Sequence, residues 1–203
     1  HPEIVKALKV ALDESRDTGL WSVPNLEYLK LQDLLASLAP TPALNRSVIT
    51  LSSTVSVDLA IMFAFRVTER RQVLAYRHGY HGHTGFAATV TGSPDEGVVD
   101  HYHLPSQHVR FLEKYGDTAE LERLLTTDVA AFIVEPMDYE TFQAATAEFL
   151  TTASQICAER GIVFIVDETR SGLGRTGKLW ATEHYDIDPG MIITGKGLSG
   201  GLY

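Results

Sequence analysis

Short, continuously apolar runs alternate along this chain with segments whose apolar residues recur at helical spacing. The runs read as strands: SVITL (47–51), QVLAY (72–76), AAFIVE (130–135), IVFIVDE (162–168) and MIIT (191–194). Runs that are apolar throughout, rather than at alternate positions, are typical of strands covered by helices on both faces. Because helical crossovers join parallel neighbours, the pattern predicts an α/β fold with a mostly parallel central sheet flanked by helices.

The predicted helices lie at 1–15, 25–40, about 55–70, 118–126 and 147–161. Gly161 ends the last of these segments, where a left-handed helix cap is expected. Polar residues follow the predicted strands in five clusters, at 52–54, 80–83, 135–140, 167–175 and Lys196. Ligands of parallel α/β sheets bind at the carboxyl ends of the strands. We therefore expect one edge of the sheet to gather these clusters into a single site.

The composition excludes several classes of protein. The 203 residues carry a formal net charge of -9 without a block of lysine or arginine, which argues against nucleic-acid binding. No apolar stretch approaches the roughly 18 residues of a membrane-spanning helix, and the first residues lack a signal-peptide core. The single cysteine, Cys157, excludes an internal disulfide framework and suits a reducing compartment. We expect a soluble cytoplasmic domain.

The stretch DETRSGLGRTG (167–177) carries the strongest chemical signal. Asp167 follows a buried strand directly, and a carboxylate there needs a partner because an unpaired buried charge is costly. A helix cap or a metal ligand would explain an isolated acid at this place. Glycines surround Arg175 at 172, 174 and 177, which instead indicates a backbone that passes close to a ligand.

Lys196 follows the last predicted strand, between two glycines. A nucleotide-binding phosphate loop would need Ser or Thr directly after its lysine, and Gly197 stands there. A lysine amine at a strand end can instead act as a Schiff-base nucleophile if a positive charge or desolvation depresses its pKa. Alone, Lys196 would be read as a solvated lysine. Paired with Asp167, which can face a protonated pyridine nitrogen, the nucleophile is favoured.

Two polar stretches have alternative interpretations. Ser52, Ser53 and Thr54 precede a predicted helix, where they would cap it or hold a phosphate against its N-terminal N–H groups. In GYHGHTG (79–85), Tyr80 can stack on a flat heterocycle. The alternative for this stretch is a metal site, with donors at His78, His81, His83, His101 and His103. Neither the helical spacing of a zinc motif nor an acid at a recognised offset accompanies these histidines, so we predict no metal.

Four blocks, in this order, resemble the class III aminotransferases: HPEIVKAL, GYHGHTG, FIVEP and VDETRSGLGRTGKLWATEHYDIDPGMIITGKGLSGGLY. These are pyridoxal-phosphate enzymes of fold type I, and they include ornithine, GABA and other omega-aminotransferases. The resemblance covers nearly the whole chain, and its last block is the most specific. It implies that pyridoxal 5'-phosphate serves to transfer an amino group from an amine or amino acid to an oxo acid. It also implies a homodimer with a shared active site.

The resemblance implies roles for individual residues. Lys196 resembles the lysine of the internal aldimine, and Asp167 the partner of the pyridine nitrogen. Tyr80 resembles the aromatic residue that stacks on the cofactor ring. Ser53 and Thr54 fall where family members bind the cofactor phosphate. Further residues are placed by motif: His81 beside the cofactor, and Glu135 and Glu140 on the substrate side.

Three stretches depart from the family pattern. SSTVS (52–56) lacks the glycine and the acid of the usual phosphate loop, which weakens the expected phosphate grip. Arg170 stands where many members have Gln, Ala or Val, and we expect this cation to hydrogen-bond the phenolic oxygen of the cofactor. MDYETFQAA (137–145) replaces a glycine-rich run, which leaves the substrate preference open.

The resemblance also implies a domain division. Residues 1–45 are expected to form an N-terminal helical segment that leads into a pyridoxal-phosphate-binding large domain, 46–203. This large domain would be truncated at its C-terminus, with the small domain largely missing. Two alternatives stay open: another pyridoxal-phosphate reaction on the same fold (an aminomutase, a decarboxylase or a racemase), or an inactive module retained for assembly.

Overall fold

The computed structural model describes residues 1–14, 25–92 and 104–200, and its centre is a five-stranded parallel sheet. The strands are β1 (Gln72–Tyr76), β2 (Val109–Leu112), β3 (Val129–Val134), β4 (Val163–Asp167) and β5 (Met191–Ile193). They lie in the order β2-β1-β3-β4-β5, and every neighbouring pair is parallel. The prediction of a parallel sheet flanked by helices is therefore confirmed.

The helices are α1 (Pro2–Asp13), α2 (Leu26–Ser37), α3 (Ser53–Thr68), α4 (Gly85–Val90), α5 (Thr118–Leu124) and α6 (Ala147–Arg160). Two 3₁₀ turns, Ala181–His184 and Lys196–Ser199, complete the described elements. Helix α6 ends at Gly161, whose φ of 60° is the left-handed cap predicted from the sequence. Among the described residues, no helix is both long and apolar enough to cross a membrane.

The sheet is packed on both faces because side chains of a strand point alternately to its two sides. On one side Phe132, Val134 and Phe164 pack against α5 and α6, and the rings of Phe132 and Phe164 stack with centroids 5.9 Å apart. On the other side Ile133 and Ile165 pack against α3 and α4. Burial of each such side chain contributes roughly 1.5–3 kcal/mol, so these layers fix the sheet on which the site is built.

The prediction of a strand at SVITL is wrong, because residues 47–51 form no strand. Leu51 is 90% exposed, and Thr50 Oγ1 donates to the Ser52 carbonyl oxygen at 2.8 Å. Such local side-chain bonds compete with strand pairing, and here they lead the chain into α3. Strand β2 was not predicted; it is a four-residue edge strand whose Val109 pairs with Val73 of β1.

Candidate functional site

The carboxyl ends of β3, β4 and β5 bring three predicted site residues to one edge of the sheet. Glu135 directly follows β3, Asp167 is the last residue of β4, and Lys196 stands three residues after β5. Asp167 is in register with Ile193, and the Glu168 N–H donates to the Ile193 carbonyl oxygen at 2.8 Å. This pairing holds the chain that leads to Lys196 beside the end of β4.

Two glycines allow the N-terminus of α3 to approach this edge. A Cβ on Gly82, whose φ is 131°, would lie 2.5 Å from Thr54 Oγ1. A Cβ on Gly195 would lie 3.2 Å from Ser53 Cβ. Ser53 and Thr54 therefore lie directly against the Tyr80–His83 loop and the segment after β5. Their position agrees with the sequence expectation that 52–54 joins the other polar clusters.

His81 and Asp167 form a buried pair at the centre of the site. His81 Nδ1 lies 2.8 Å from Asp167 Oδ2, and the two side chains are 1% and 3% exposed. The other carboxylate oxygen of Asp167 accepts the N–H of Thr169 at 3.0 Å. Burial lowers the pKa of His81, but the hydrogen bond with Asp167 and the charges of Asp167 and Glu135 outweigh burial and raise it. The Asp167 carboxylate thus favours the protonated form of the His81 imidazole.

Glu135 is the second buried acid of the site. Its Oε2 accepts the N–H of Tyr80 at 3.1 Å, and its Oε1 lies 3.7 Å from Arg170 Nη1. Burial, the largest effect, and the charge of Asp167 raise the pKa of Glu135, the charges of His81 and Arg170 lower it, and together they leave it at about 7. Glu135 therefore ties the Tyr80 loop to the end of β3.

Arg170 and three aromatic rings form a stack beside Glu135. The guanidinium carbon of Arg170 lies 4.6 Å from the ring centroid of Tyr139 and 4.9 Å from that of Phe142. The ring of Tyr139 stacks in turn on Tyr80, with centroids 5.1 Å apart and planes inclined by 28°. The hydroxyl of Tyr80 lies 2.8 Å from His83 Nδ1. The ring of Tyr80, predicted to stack on a heterocycle, is already stacked on Tyr139, and the ring of His83 packs edge-on against it with centroids 5.1 Å apart.

Glu140, assigned by resemblance to the substrate side, stands five residues after Glu135 and contacts His78. Its Oε1 is 3.2 Å from His78 Nδ1, and its side chain is 38% exposed. The backbone around it is held by Asp138, whose Oδ1 accepts the N–H groups of Glu140 and Thr141. The structure thus joins Glu140 to His78 by a hydrogen bond.

Lys196 is exposed and opens the 3₁₀ turn with a φ of 45°. A positive φ is uncommon outside glycine and costs about 1–3 kcal/mol, and such residues cluster at functional sites. Within 1–14, 25–92 and 104–200, no hydrogen bond or ion pair involves Lys196 Nζ. Its amine is therefore available for reaction.

Sequence reasoning missed the part played by Glu168, which organises the loop after β4. This fully buried carboxylate accepts four hydrogen bonds, from Ser171 Oγ, the Ala181 N–H, the Thr182 N–H and Thr182 Oγ1. The loop between them carries Arg170 and the glycine-rich turn. The sequence did contain a signal for this role: Glu168 is a second acid directly after a buried strand, where an unpaired charge is costly.

The residues present fit a phosphorylated pyridine ligand. Three buried polar atoms at the strand ends have no hydrogen-bond partner among the described residues: His81 Nε2, Thr169 Oγ1 and Thr194 Oγ1. Asp167 accepts two hydrogen bonds and has capacity for a ring N–H as a third. The α3 N-terminus supplies N–H groups and a favourable dipole for a phosphate.

A metal site receives no support from the described residues, in which no group of three or more His, Cys, Asp or Glu could hold an ion. His101 and His103, named in the metal alternative, lie outside the described residues. His81, the most buried donor of that alternative, is instead paired with Asp167.

Comparisons with known proteins point to one family. A family model described as Aminotransferase class-III matches residues 1–203. The chain is 38% identical to an uncharacterized aminotransferase of Archaeoglobus fulgidus over 207 residues, which are 100% of this chain and 47% of that protein. It is 35% identical to the acetylornithine aminotransferase of Methanopyrus kandleri, covering 100% of this chain and 51% of that protein. The chain thus spans about half the length of the curated relatives it matches.

Solved structures show the same fold. The structure of taurine:2-oxoglutarate aminotransferase from Bifidobacterium kashiwanohense, in complex with PLP and glutamate, superposes with a TM-score of 0.87. It is 24% identical in sequence, and the match covers 98% of this chain and 50% of that one. At this identity the likeness concerns the arrangement of helices and strands.

Proposed function

Because the chain belongs to the class III aminotransferase family, we propose that it binds pyridoxal 5'-phosphate and transfers an amino group from an amine or amino acid to an oxo acid. The observation that carries the proposal is the buried His81–Asp167 pair at the end of β4, in register with the strand β5 that leads to Lys196. When bound, the cofactor supplies an electron sink for the bonds of the substrate carbon and a carrier for the amino group.

In this proposal Asp167 faces the ring nitrogen of the cofactor. Its carboxylate is buried and already oriented by His81 and by the Thr169 N–H, so it needs little rearrangement to accept the ring N–H. A fixed negative charge in a site that excludes water favours a protonated ring nitrogen more strongly than it would in solvent. Asp167 thereby keeps the proton on that nitrogen during the reaction.

Lys196 is proposed as the residue that binds the cofactor covalently. When its Nζ is not bound to the cofactor, it would be free to remove a proton from the substrate carbon and to return that proton elsewhere, as a general base and then acid. Its strained φ of 45° fixes the side chain at the start of a 3₁₀ turn beside the end of β4. The assignment of Lys196 follows from the family motif that contains it and from its position after β5.

Ser53, Thr54, Tyr80 and His81 are proposed to hold the cofactor with Asp167. The N–H groups of Ser53 and Thr54 open α3, where the helix dipole favours a phosphate without the usual glycine of the family loop. The ring of Tyr80 supports a flat ligand, and His81 acts on it through Asp167. Two predictions from the sequence remain predictions. Arg170 is expected to hydrogen-bond the phenolic oxygen of the cofactor, and Glu135 and Glu140 are expected to lie on the substrate side.

We further propose that the whole protein works as a homodimer with a shared active site, in a reducing compartment such as the cytoplasm. The outer face of α3 supports the homodimer, because it exposes four apolar side chains at helical spacing: Val55, Met62, Phe63 and Val67. Cys157 is the chain's one cysteine, and its buried free thiol is consistent with a reducing compartment.

The test uses the full-length protein loaded with pyridoxal phosphate. Borohydride reduction followed by peptide mass spectrometry is expected to place the label on Lys196, and Lys196→Ala is expected to abolish it. Lys178→Ala, a matched removal of another exposed lysine, should leave labelling unchanged. A screen of amine donors should then yield pyridoxamine phosphate and a new oxo compound. Labelling without any such product would replace transamination by another reaction on the same fold.

A further inference from the structure

Helix α1 carries the block HPEIVKAL, to which no residue of the proposed site belongs, yet it contacts the turn that carries Lys196. From this contact we infer that Ile4 is a positioning residue. It holds the Lys196–Ser199 turn, and through the turn it holds the amine of Lys196 where that amine meets the cofactor. This inference rests on the proposed function, because it concerns the reactivity of the same lysine.

The contact between α1 and the turn is made by Ile4 and Gly200. A Cβ on Gly200 would lie 2.5 Å from Ile4 Cδ1 and 3.3 Å from Ile4 Cγ1, so the isoleucine fills the space that any other residue at 200 would need. Gly200 ends the turn with a φ of 64°, a conformation that glycine adopts without strain. The start of α1 is itself fixed, because Pro2 is its first residue and the His1 side chain accepts the Glu3 N–H at 3.3 Å.

A second contact reaches the turn from the glycine-rich loop after β4. A Cβ on Gly197 would lie 3.5 Å from Leu173 Cδ1, which is ordinary van der Waals contact. Leu173 itself has a φ of 57°, a conformation in which non-glycine residues persist only where the surrounding structure holds them. The turn is thus held at two of its glycines, by Ile4 and by Leu173.

These contacts matter because hydrogen bonds hold the backbone of the turn but not the lysine side chain. The Leu198 N–H donates to the Gly195 carbonyl oxygen and the Gly200 N–H to the Gly197 carbonyl oxygen, both at 3.1 Å. Within the described residues no hydrogen bond or ion pair holds Lys196 Nζ. The direction of this side chain is therefore set by the backbone of the turn. A shift of about 1 Å in a reacting group can cost about 100-fold in rate, so a loosened turn would impair the amine.

The experiment compares the binding of two ligands to the full-length, cofactor-free protein. Pyridoxal phosphate has an aldehyde that condenses with Lys196 Nζ with loss of water, whereas pyridoxamine phosphate has an amine in its place and binds only non-covalently. Ile4→Ala is expected to weaken pyridoxal phosphate binding about 10–100-fold, because it displaces the amine. Pyridoxamine phosphate binding should stay within about 3-fold, on the scale of a surface substitution. A substitution that merely disturbed the fold would weaken the binding of both ligands alike.

Three further variants control for the size of the change. Leu12→Ala removes the same number of carbon atoms from a residue of α1 that is 78% exposed, and it should keep the wild-type affinity for both ligands. Ile4→Val lacks only the carbon nearest to Gly200 and should show a smaller loss, about 3-fold, confined to pyridoxal phosphate. If Ile4→Ala does not fold, Ile4→Val carries the comparison. Gly200→Ala sets a Cβ against Ile4, and adding Ile4→Ala to it should recover pyridoxal phosphate affinity by about 3-fold or more, because the clash is removed.

A readout without cofactor tests the contact itself. Hydrogen exchange of the amides in 196–200 should be about 10-fold faster in Ile4→Ala than in the wild type, because the turn loses the side chain that packs on it. Exchange in Leu12→Ala should match the wild type.

Two binding results would overturn the inference. Affinities of Ile4→Ala equal to those of Leu12→Ala would show that Ile4 does not position the lysine. An equal loss of affinity for both ligands would show that Ile4 supports the fold of the site and not the amine. If the wild-type protein forms no covalent bond between Lys196 and pyridoxal phosphate, the proposed function fails, and the exchange rates then decide the inference. Faster exchange in Ile4→Ala alone would still show that Ile4 holds the turn, and equal exchange in all variants would overturn that as well.

Discussion

His81 Nδ1 lies 2.8 Å from Asp167 Oδ2, and the two side chains are almost completely buried. A buried carboxylate without a partner would take up a proton or destabilise the fold. We therefore propose that His81 acts as a positioning residue, because its Nδ1 holds the Asp167 carboxylate in place before any ligand arrives. The backbone N–H of His81 donates to Thr91 Oγ1 at 2.9 Å, which anchors the His81 backbone to the end of α4.

We predict that His81→Phe weakens pyridoxal phosphate binding about 10–100-fold, as expected for loss of a hydrogen bond to a charged group. Phenylalanine keeps the ring volume but leaves Asp167 without its imidazole partner. His81→Asn should recover part of the affinity, because its amide can donate from nearly the same place as Nδ1. The measurement is a cofactor titration followed by absorbance over a range of pH.

The matched control is His184→Asn, a histidine in the exposed 3₁₀ turn whose ring contacts Thr176 rather than Asp167. Its cofactor affinity should equal that of the wild type. Wild-type affinity and an unshifted pH profile in His81→Phe would mean that Asp167 is positioned without His81.

Glu135 gives the stability of the protein a predictable dependence on pH. Its pKa in the folded state, about 7, is above the ordinary value, so between these values the folded state binds more protons than the unfolded state. Stability must then fall as the pH rises through this window. His81, whose folded pKa is also raised, acts in the same direction above its ordinary value of about 6.5.

We therefore expect the urea midpoint of the cofactor-free, full-length protein to decrease between about pH 5 and pH 8, with a smaller decrease in Glu135→Gln. Glutamine cannot titrate but can still accept the Tyr80 N–H. Glu148→Gln, on the exposed side of α6, should keep the wild-type slope. Equal slopes for the wild type and Glu135→Gln would show that Glu135 is not protonated in the folded protein below pH 7.

The sequence predicted the sheet because its central strands are buried on both faces and are therefore apolar throughout. Strand β3, for example, is fully buried along Val129–Val134 and could hardly be read otherwise. SVITL misled because the β-prone residues Val48, Ile49 and Thr50 carry no information about whether a neighbouring strand is available. The edge strand β2 was missed for a related reason: Arg110 interrupts a four-residue run that pairs on one side only.

The site was predictable where a residue must stand at a strand end, as Asp167 and Lys196 do. Contacts that depend on tertiary distance were not predictable. Nothing in the spacing indicates that Tyr139 stacks on Tyr80, 59 residues earlier in the chain, or that Glu140 faces His78. The replacement of a glycine-rich run by MDYETFQAA did mark the loop as unusual, but only its fold shows that the two aromatic residues clamp Arg170.

Glu168→Gln should destabilise the protein by about 3 kcal/mol, because a buried carboxylate loses part of its hydrogen bonding. Both oxygens of Glu168 face donors, so the amide nitrogen of glutamine would meet an N–H or O–H group that also donates. The loop 169–181 should also become more sensitive to limited proteolysis. Glu159→Gln, exposed on α6, is the control; equal protease sensitivity of the two variants would contradict this role for Glu168.

The exposed face of α3 tests the proposed dimer. Met62 is 50% exposed, Phe63 43% and Val67 74%, whereas Val57, Ile61 and Ala64 on the opposite face pack on the sheet. Leaving such a stripe in water is unfavourable, and a second copy of the protein would bury it. Its position matters for function, because the same helix begins at Ser53 and Thr54, so a partner on this face would stand beside the proposed phosphate site.

Phe63→Glu would place an unpaired charge in that contact and should weaken dimerisation about 100-fold or more. Analytical ultracentrifugation of the full-length protein over a range of concentrations measures the effect. Gln155→Glu, which adds the same charge to an exposed position of α6, should leave the dimer intact. A Phe63→Glu protein with wild-type dimer affinity would show that α3 faces solvent in the assembly. Loss of the dimer together with weaker cofactor binding would instead indicate that the neighbouring subunit helps to complete the site.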